Sequence, residues 1–240
     1  MRALNFAQRN FKELIRDPLS LVFAMILPTF LLFIFQQFKI PVDTYNIENF
    51  TPGIIIFGLT FITMFTATLV AKDRNCSLLT RLAISPMKSL DYLLGYTLAL
   101  LPLVLIQNVL FFTVALFNGL SFNIRFTFTV ITALILSLFF IALGILIGCF
   151  GNEKSASGIS SVVVQLVAFT SGMYFSLDLV GKVFGNICRA LPFYHCVELL
   201  KTVLNNTGSD ILINISVILI YSIITIVLAN YAFFKKLRKN

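Results

Sequence analysis

Formal charge is absent from all six long apolar runs of this sequence, although the 240-residue chain contains 18 Lys and Arg and 10 Asp and Glu residues. A charged side chain at the centre of a bilayer costs at least about 2.5–3.5 kcal/mol, so lipid favours such runs. A helix of about 20 residues also spans a hydrocarbon core of about 30 Å. The lack of charge therefore excludes a soluble chain and predicts an integral membrane protein. The runs occupy residues 19–38, 51–71, 92–117, 126–150, 156–175 and 211–234.

Strand-like alternation is missing as well. Hydrophobic residues make up 58% of the chain, and within each run they follow one another without the polar–apolar alternation of membrane β-strands. Continuous apolar runs satisfy their backbone groups in lipid by forming helices. We predict an all-α membrane protein with six transmembrane helices in a single domain, residues 1–240.

Several catalytic and nucleotide-binding motifs are absent. The sequence has no GxxxxGK[ST] loop, so we expect no ATP site of the Walker A type. It has no GxSxG elbow and no HExxH pair, and its one histidine, His195, cannot form a two-histidine metal site. Because the spans contain no Asp, Glu, Lys, Arg or His, the sequence argues against an intramembrane enzyme and a proton-coupled carrier.

The four cysteines form no CxxC pair and therefore indicate no metal site. Cys188 and Cys196 flank Pro192 in a predicted outer segment. We expect two free thiols there, with a disulfide as the alternative.

Positive charge is concentrated on one side of the predicted membrane. With the N-terminus in the cytoplasm, the inner segments contain 13 of the 18 Lys and Arg residues, whereas Asp and Glu divide equally. This is the bias of the positive-inside rule, and it places both termini in the cytoplasm. The net charge of +8 then reflects membrane topology rather than nucleic-acid binding. The outer cations are Lys39, Arg125, Lys182, Arg189 and Lys201.

Residues 1–17 predict an amphipathic helix in the inner membrane interface. The apolar positions that recur at helical spacing are Leu4, Ala7, Phe11 and Leu14. Pro18 then suits the first turn of a span. The run that follows has 20 residues and no small-residue cleavage site, so we interpret it as a retained span rather than a signal peptide.

The connections between the spans differ in character. The inner loop 72–91 mixes charged and apolar residues and predicts a short amphipathic helix that ends at Pro86. Residues 151–155 form a tight inner turn. The outer segment 176–210 is too apolar for a solvated loop and is interrupted by Gly and Pro. It predicts two short helices, 180–190 and 193–204, that re-enter the outer leaflet where protein covers their backbone.

The polar residues within the spans are neutral, and most of them suit packing between helices. Gln165 lies near the middle of its span, where an unpaired amide is costly. It should therefore face another helix, a second copy of the chain or a cavity. The other candidates for a cavity or a dimer interface are Thr63, Ser160 and Ser161.

Three segments resemble motifs of the ABC-2 type exporter permeases. Residues 72–86, KDRNCSLLTRLAISP, resemble the family's "RE-x-GT-x-x-RL-x-x-SP" loop. Residues 170–178, TSGMYFSLD, resemble "SG-x-x-F-P-L-E", and residues 191–201 resemble "LP-x-x-H…E-x-x-R". The order, spacing and six-span layout agree over essentially the whole chain. Cys76 and Ser77 replace Gly-Thr, Ser176 replaces Pro, and Lys201 replaces Arg.

The resemblance implies that this chain is the permease half of a transporter. The chain itself would have no enzyme activity and no cofactor. A separate ABC ATPase subunit would bind ATP and Mg²⁺, and a second copy of the permease would complete the pathway. Residues 1–17 would form the connecting helix at the interface. The implied ATPase-coupling loop contains Asp73, Arg74, Leu78, Arg81, Leu82 and Pro86, and a second inner contact contains Asn152, Glu153 and Lys154. The implied outer re-entrant segment contains Gly172, Asp178, Pro192, His195 and Glu198.

The apolar spans suit export of a hydrophobic drug, an antimicrobial peptide or a lipid-like molecule. The alternatives are a polysaccharide or glycolipid export permease, or a non-transporting immunity or sensor subunit. In each case we expect a multi-pass protein of a bacterial plasma membrane, surrounded by lipid.

Overall fold

The computed structural model describes residues 2–38, 41–76, 89–177, 180–206 and 210–237. Over these ranges the chain forms nine α-helices and one 3₁₀ turn, Asp43–Tyr45, with no β-strand. The helices are α1 (Arg2–Ile15), α2 (Pro18–Gln37), α3 (Ile47–Asn75), α4 (Ser89–Phe117), α5 (Arg125–Phe150), α6 (Glu153–Thr170), α7 (Lys182–Ala190), α8 (Pro192–Asn205) and α9 (Ile211–Leu237).

Six long helices occupy the six apolar runs. Three of these helices begin three or four residues before the predicted start, at Ile47, Ser89 and Glu153. Two helix ends also differ from the expectation. α6 ends at Thr170, earlier than the predicted end at residue 175. α3 continues to Asn75, so the prediction that a loop begins at residue 72 is wrong. The helix continues through this charged segment because partners on other helices pair with its charges, as described below.

Four helices among the described residues are long and apolar enough to cross a bilayer, namely α3, α4, α5 and α9. The described apolar part of α2, Leu21–Gln37, is shorter, and α6 begins with the charged residues Glu153 and Lys154. The all-helical class is therefore confirmed. The presence of six spans, which would include α2 and α6, stays a prediction.

α3 forms the centre of the bundle. It packs against α2, α4, α5, α6 and α8, and 83% of its most apolar part is buried inside the protein. The corresponding value for α9 is 17%, because α9 packs mainly on α5 and α8 from the outside. α3 is thus surrounded by the protein, whereas most of the surface of α9 is left uncovered by the described part of the chain.

Two glycines allow α5 to approach α3 closely. A Cβ atom on Gly144 would lie 2.5 Å from the carbonyl oxygen of Thr63, and one on Gly148 would lie 2.7 Å from that of Ala67. The Thr63 hydroxyl is buried and donates to the carbonyl oxygen of Phe140 at 2.9 Å. Thr63 therefore contributes to packing between α3 and α5 of one chain.

The amphipathic helix predicted at the start of the chain is present as α1, but its buried side is displaced. The buried residues are Phe6, Ala7, Asn10 and Leu14, whereas Leu4 is 55% exposed. The predicted stripe is therefore wrong at Leu4. α1 packs chiefly on α4, where Phe6 contacts Tyr92 and Tyr96. The predicted spacing leaves out Phe6, and the choice of apolar positions leaves out the polar Asn10, although both residues are buried.

The two short helices predicted between spans 5 and 6 are present as α7 and α8. Pro192 occupies the first turn of α8, where its missing N–H removes no helix hydrogen bond. Asn206, with φ 57°, follows the end of α8 in the left-handed region. Cys188 and Cys196 are buried and free, which confirms the expected thiols. Re-entry of α7 and α8 into the outer leaflet stays a prediction.

Part of the predicted coupling loop lies outside the described residues. This applies to Leu78, Arg81, Leu82 and Pro86, and to the short helix expected before Pro86. Asp178 of the predicted outer segment also lies outside them.

Candidate functional site

Charged residues from several helices meet at one end of the bundle, which we call the basic end. Arg9 lies on α1, Lys72 and Arg74 lie in the last turn of α3, and Lys154 lies in the first turn of α6. The start of α4 and the turn between α5 and α6 lie at the same end. The contacts described next join these elements.

Asp73 is the buried centre of the basic end. Its side chain is 0% exposed, and Oδ1 lies 2.5 Å from Nη1 of Arg9. The Tyr96 hydroxyl of α4 donates to Oδ2 at 2.8 Å. The Arg9 contact is an ion pair with a buried carboxylate. One carboxylate therefore joins α3 to both α1 and α4.

Arg9 extends this pair into a chain of alternating charges. Its guanidinium also lies 2.5 Å from the Glu13 carboxylate, and Glu13 accepts Lys72 Nζ at 2.9 Å. Partial burial acts to lower the pKa of Arg9, but the Asp73 carboxylate outweighs this effect, and the pKa is raised overall. Arg9 thus stays charged and holds α1 against α3. The more exposed pair of Lys72 and Glu13 adds at most about 1 kcal/mol.

Aromatic packing fixes α1 on α4 beside these charges. The Phe6 ring makes edge-to-face contacts with Tyr96 at 5.1 Å and with Tyr92 at 5.7 Å between ring centroids. Gly95 leaves the space that Phe6 fills, because a Cβ atom there would lie 2.4 Å from Phe6 Cδ1. Tyr96 therefore takes part in both the apolar and the ionic contact of α1.

Arg74 joins the two predicted inner contacts. Its Nη1 donates to the carbonyl oxygen of Cys149 at 2.6 Å, and its Nη2 donates to that of Gly151. These oxygens belong to the C-terminal end of α5, where helix carbonyls lack helix partners and a cation is favourable. The last turn of α3 is thereby tied to the turn that precedes α6.

The second predicted contact begins α6. Asn152 is the N-cap, and its Oδ1 accepts both the backbone N–H and the hydroxyl of Ser155 at 2.9 Å. Glu153 and Lys154 are exposed. They line an open cavity of about 620 Å³ between α1, α3 and α6. The remaining lining residues are Glu13, Leu14, Asp17, Met64, Phe65, Thr68, Leu69, Lys72 and Ser157.

The predicted cavity or interface residues of α6 separate onto two sides of the helix. Ser160 faces inward, is 0% exposed, and its hydroxyl has no hydrogen-bond partner in the described part of the chain. Ser161 and Gln165 face outward and are exposed. They share that side with Ile159, Val162, Leu166 and Phe169.

At the opposite end of the bundle, His195 joins the short helices to α9. Its Nδ1 lies 2.7 Å from Oδ1 of Asn214, and its Nε2 lies 2.8 Å from the carbonyl oxygen of Arg189. The Tyr221 hydroxyl of α9 donates to the carbonyl oxygen of Ala190 at 3.0 Å. Through these contacts α7, α8 and α9 are held together by hydrogen bonds of His195 and Tyr221.

The other predicted residues of this end have local roles. Gly172 adopts φ 74° in the turn after α6, a conformation that favours glycine. Glu198 pairs with Lys201 at 2.9 Å within α8. Pro192 begins α8, as described above. Of the five predicted residues, the structure thus places His195 in the contact between helices.

Two important residues were not recognised as site residues from the sequence. Arg9 is a charged residue outside the predicted apolar stripe of α1, and Tyr96 is one aromatic residue within a long apolar run. Their contacts with Asp73 join residues far apart in the chain, and no local spacing indicates such pairs. The one available signal was the Asp within Lys72-Asp73-Arg74, directly after an apolar run.

One family of known proteins matches most of this chain. The sequence model of the ABC-2 type transporters matches residues 4–205, which include the basic end and the helices α7 and α8. The chain belongs to the ABC-2 type transporter family. Members of this family are membrane components of transporters rather than enzymes, and they work with ABC ATPase subunits.

A similar protein is YvfS of Bacillus subtilis (strain 168), which is named provisionally as a transport permease. The two sequences are 31% identical over 96 residues. That match spans 38% of this chain and 37% of YvfS.

Proposed function

We propose that this ABC-2 chain is the permease subunit of an ATP-driven exporter in a bacterial plasma membrane. It would move a hydrophobic or amphiphilic substrate out of the cell with a separate ATPase subunit. The observation that carries the proposal is the ionic network at the basic end. It connects the amphipathic helix α1 to the helix end that leads into the predicted coupling loop.

The basic end is the proposed docking side for the ATPase. Arg74 holds the end of α3 against the turn before α6, so a partner that pushes on the predicted coupling loop would also move Asn152, Glu153 and Lys154. Asp73 is buried, and in this proposal it positions α3 instead of touching the ATPase. Arg81, Leu78 and Leu82 stay candidates for the direct contact.

Coupling requires that the ATPase bind two permease states with different affinity, because equal affinity shifts no equilibrium. In this chain a force applied to the end of α3 reaches α1 through Arg9 and reaches α4 through Tyr96. The inner ends of three helices would then move together when the ATPase closes on ATP.

A second copy of the chain would cover the outward side of α6. Gln165 is exposed there in the middle of a predicted span, and an amide that faces lipid lacks hydrogen-bond partners. Pairing with the second copy would satisfy it. The pathway would then lie between the two copies and open to the cavity beside Lys72 and Glu153.

The proposed substrate class follows from the lining. Met64, Phe65 and Leu69 form the apolar side of this cavity, and Glu13, Lys72 and Lys154 form its charged rim. An amphiphile, such as an antimicrobial peptide or a lipid-like molecule, presents both kinds of surface. The experiment below distinguishes this proposal from two alternatives, a polysaccharide permease and a non-transporting immunity subunit.

The test is co-expression with a cognate ABC ATPase and purification through a tag on the permease alone. We expect a complex with two copies of each subunit, in which candidate amphiphiles stimulate ATP hydrolysis. The variant R74Q/R81Q should return this hydrolysis to the rate of the ATPase alone. The matched control R125Q/K182Q removes two cations at the opposite end and should leave it unchanged.

Each result has a distinct meaning. A permease that purifies without the ATPase in nanodiscs contradicts the coupling proposal and favours a self-contained channel or carrier. Stimulation by glycolipids alone favours the polysaccharide class. Stable complex formation without stimulation by any substrate favours an immunity or sensor subunit.

A further inference from the structure

Pro28 interrupts the hydrogen-bond ladder in the middle of α2. Proline has no backbone N–H, so it cannot donate to the carbonyl oxygen four residues earlier, which belongs to Ala24. Ala24 is 1% exposed. Its carbonyl oxygen therefore lies where neither water nor its own helix supplies the usual donor.

Gln107 of α4 supplies that donor. Its Nε2 donates to the carbonyl oxygen of Ala24 at 3.0 Å and to that of Gly58 on α3 at 3.2 Å. Gln107 is 1% exposed. In a membrane, a proline within a helix is tolerated where a neighbouring side chain satisfies the freed backbone group, and Gln107 meets this condition.

Gly58 makes this contact possible. A Cβ atom at this position would lie 2.6 Å from Phe111 Cε2 and 3.0 Å from Gln107 Nε2. The carbonyl of Gly58 lies in an unbroken part of α3, where the residue four positions later provides a helix N–H. The hydrogen bond to Ala24 therefore replaces the helix hydrogen bond that Pro28 removes. The hydrogen bond to Gly58 orients the Gln107 amide.

The same device occurs a second time in the molecule. Pro52 near the start of α3 frees the carbonyl oxygen of Glu48. Nδ2 of Asn205, at the end of α8, lies 3.4 Å from this oxygen. An amide side chain from another helix thus reaches the carbonyl oxygens freed by Pro28 and by Pro52. Pro102 within α4 frees a third carbonyl, that of Leu98, at a residue that is 41% exposed, whereas Ala24 is buried.

We propose that Gln107 is a positioning residue that pins the proline hinge of α2 to α4 and α3. Because α2 follows α1 almost directly, a displacement of α1 would pass into the part of α2 before Pro28, which Gln107 joins to α4 and α3. The pin, meaning the hydrogen bonds of Gln107 to Ala24 and Gly58, does not depend on the proposed function. Its role in passing motion from α1 into the bundle rests on that function.

A cycle of variants tests the pin in the purified permease alone. Pro28→Ala restores a backbone N–H that can satisfy Ala24 within α2. Gln107→Met conserves volume and removes the amide. We expect Q107M to lower the unfolding temperature by about 2–6 °C when Pro28 is present, and by less than half of that shift in P28A.

A thiol-reactive dye reports the unfolding of this chain, which contains no Trp. Cys149, Cys188 and Cys196 are buried and free and become reactive when the protein unfolds, whereas the exposed Cys76 reacts with the folded protein and sets the baseline. The control is Asn108→Leu, next to Gln107. The Asn108 amide donates within its own helix, to Val104 at 2.8 Å, so its effect should not depend on residue 28.

An equal shift for Q107M in both backgrounds would overturn the pin. If Q107M fails to fold with Pro28 but folds when combined with P28A, the rescue supports it, whereas failure in both backgrounds counts against it. Transport is measured separately, with the ATPase. Absence of transport in the unaltered chain contradicts the proposed function and leaves the result of the stability cycle valid.

Discussion

Replacing Asp73 by Asn tests whether the basic end is held together by charge. The substitution keeps the shape of the side chain and an oxygen that can accept from Tyr96, but it removes the anion that pairs with Arg9. Loss of one member of a fully buried ion pair costs about 3–5 kcal/mol.

The structure reduces this magnitude. Asp73 is 0% exposed, but the Arg9 side chain is 37% exposed, so water and Glu13 partly compensate the unpaired guanidinium. We expect D73N to lower the free energy of unfolding by about 1–3 kcal/mol. For a chain of this size this corresponds to a fall of roughly 3–10 °C in the unfolding temperature.

The assay is the thiol-dye unfolding measurement, with a double-variant cycle. R9M alone should also destabilise the protein, because it leaves the Asp73 carboxylate buried and unpaired. The double variant D73N/R9M should cost clearly less than the sum of the two single variants. As a control, E13Q removes the more exposed pairs and should cost less than about 1 kcal/mol.

Two results would refute the reasoning. Additive effects of D73N and R9M would mean that the two side chains do not stabilise each other. A D73N variant no weaker than E13Q would mean that burial of Asp73 adds nothing to the pair.

Three further predictions concern other contacts. His195→Leu leaves Asn214 and the Arg189 carbonyl without their imidazole partner and should cost about 1–3 kcal/mol, measured by the same unfolding assay. Gln165→Leu should reduce the dimer fraction that cross-linking detects in nanodiscs, whereas the control T113V, on the exposed side of α4, should not. If Gln165→Leu leaves the dimer fraction unchanged, α6 is not part of the proposed interface. Gly144→Val should abolish folded protein in size-exclusion chromatography because its Cβ meets the α3 backbone. Gly158→Ala, where nothing lies within 4 Å of the new atom, should fold normally.

The helices could be predicted from the sequence because each apolar run is long and uncharged, and lipid leaves such a run few alternatives to a helix. The pair α7 and α8 could be predicted from the break at Pro192. The end of α3 could not. The local sequence alone indicates a solvated loop at Lys72, Asp73 and Arg74. The helix continues there because these residues have partners on other elements.

The candidate site shows the same limit. The motif that resembles the ABC-2 loop includes Asp73 and Arg74, and both lie at the basic end, next to the turn that begins the second predicted contact. Their individual roles depend on Arg9, Tyr96 and the carbonyl oxygens of α5, which are distant in the chain. Gln107 was likewise a neutral polar residue without a local signal, because the need for its amide arises at Pro28 on another helix.

The two ends of the bundle are joined by different kinds of contact, and this gives them different responses to dissolved ions. Ion pairs join α1 to α3 at the basic end, whereas hydrogen bonds of His195 and Tyr221 with an amide and a backbone carbonyl join α7 and α8 to α9 at the other. The screening length falls from about 10 Å at 0.1 M to about 3 Å at 1 M ionic strength. Added salt should therefore loosen the Lys72–Glu13 contact selectively, and buffer composition becomes a means of relaxing one end of the protein while the other keeps its structure.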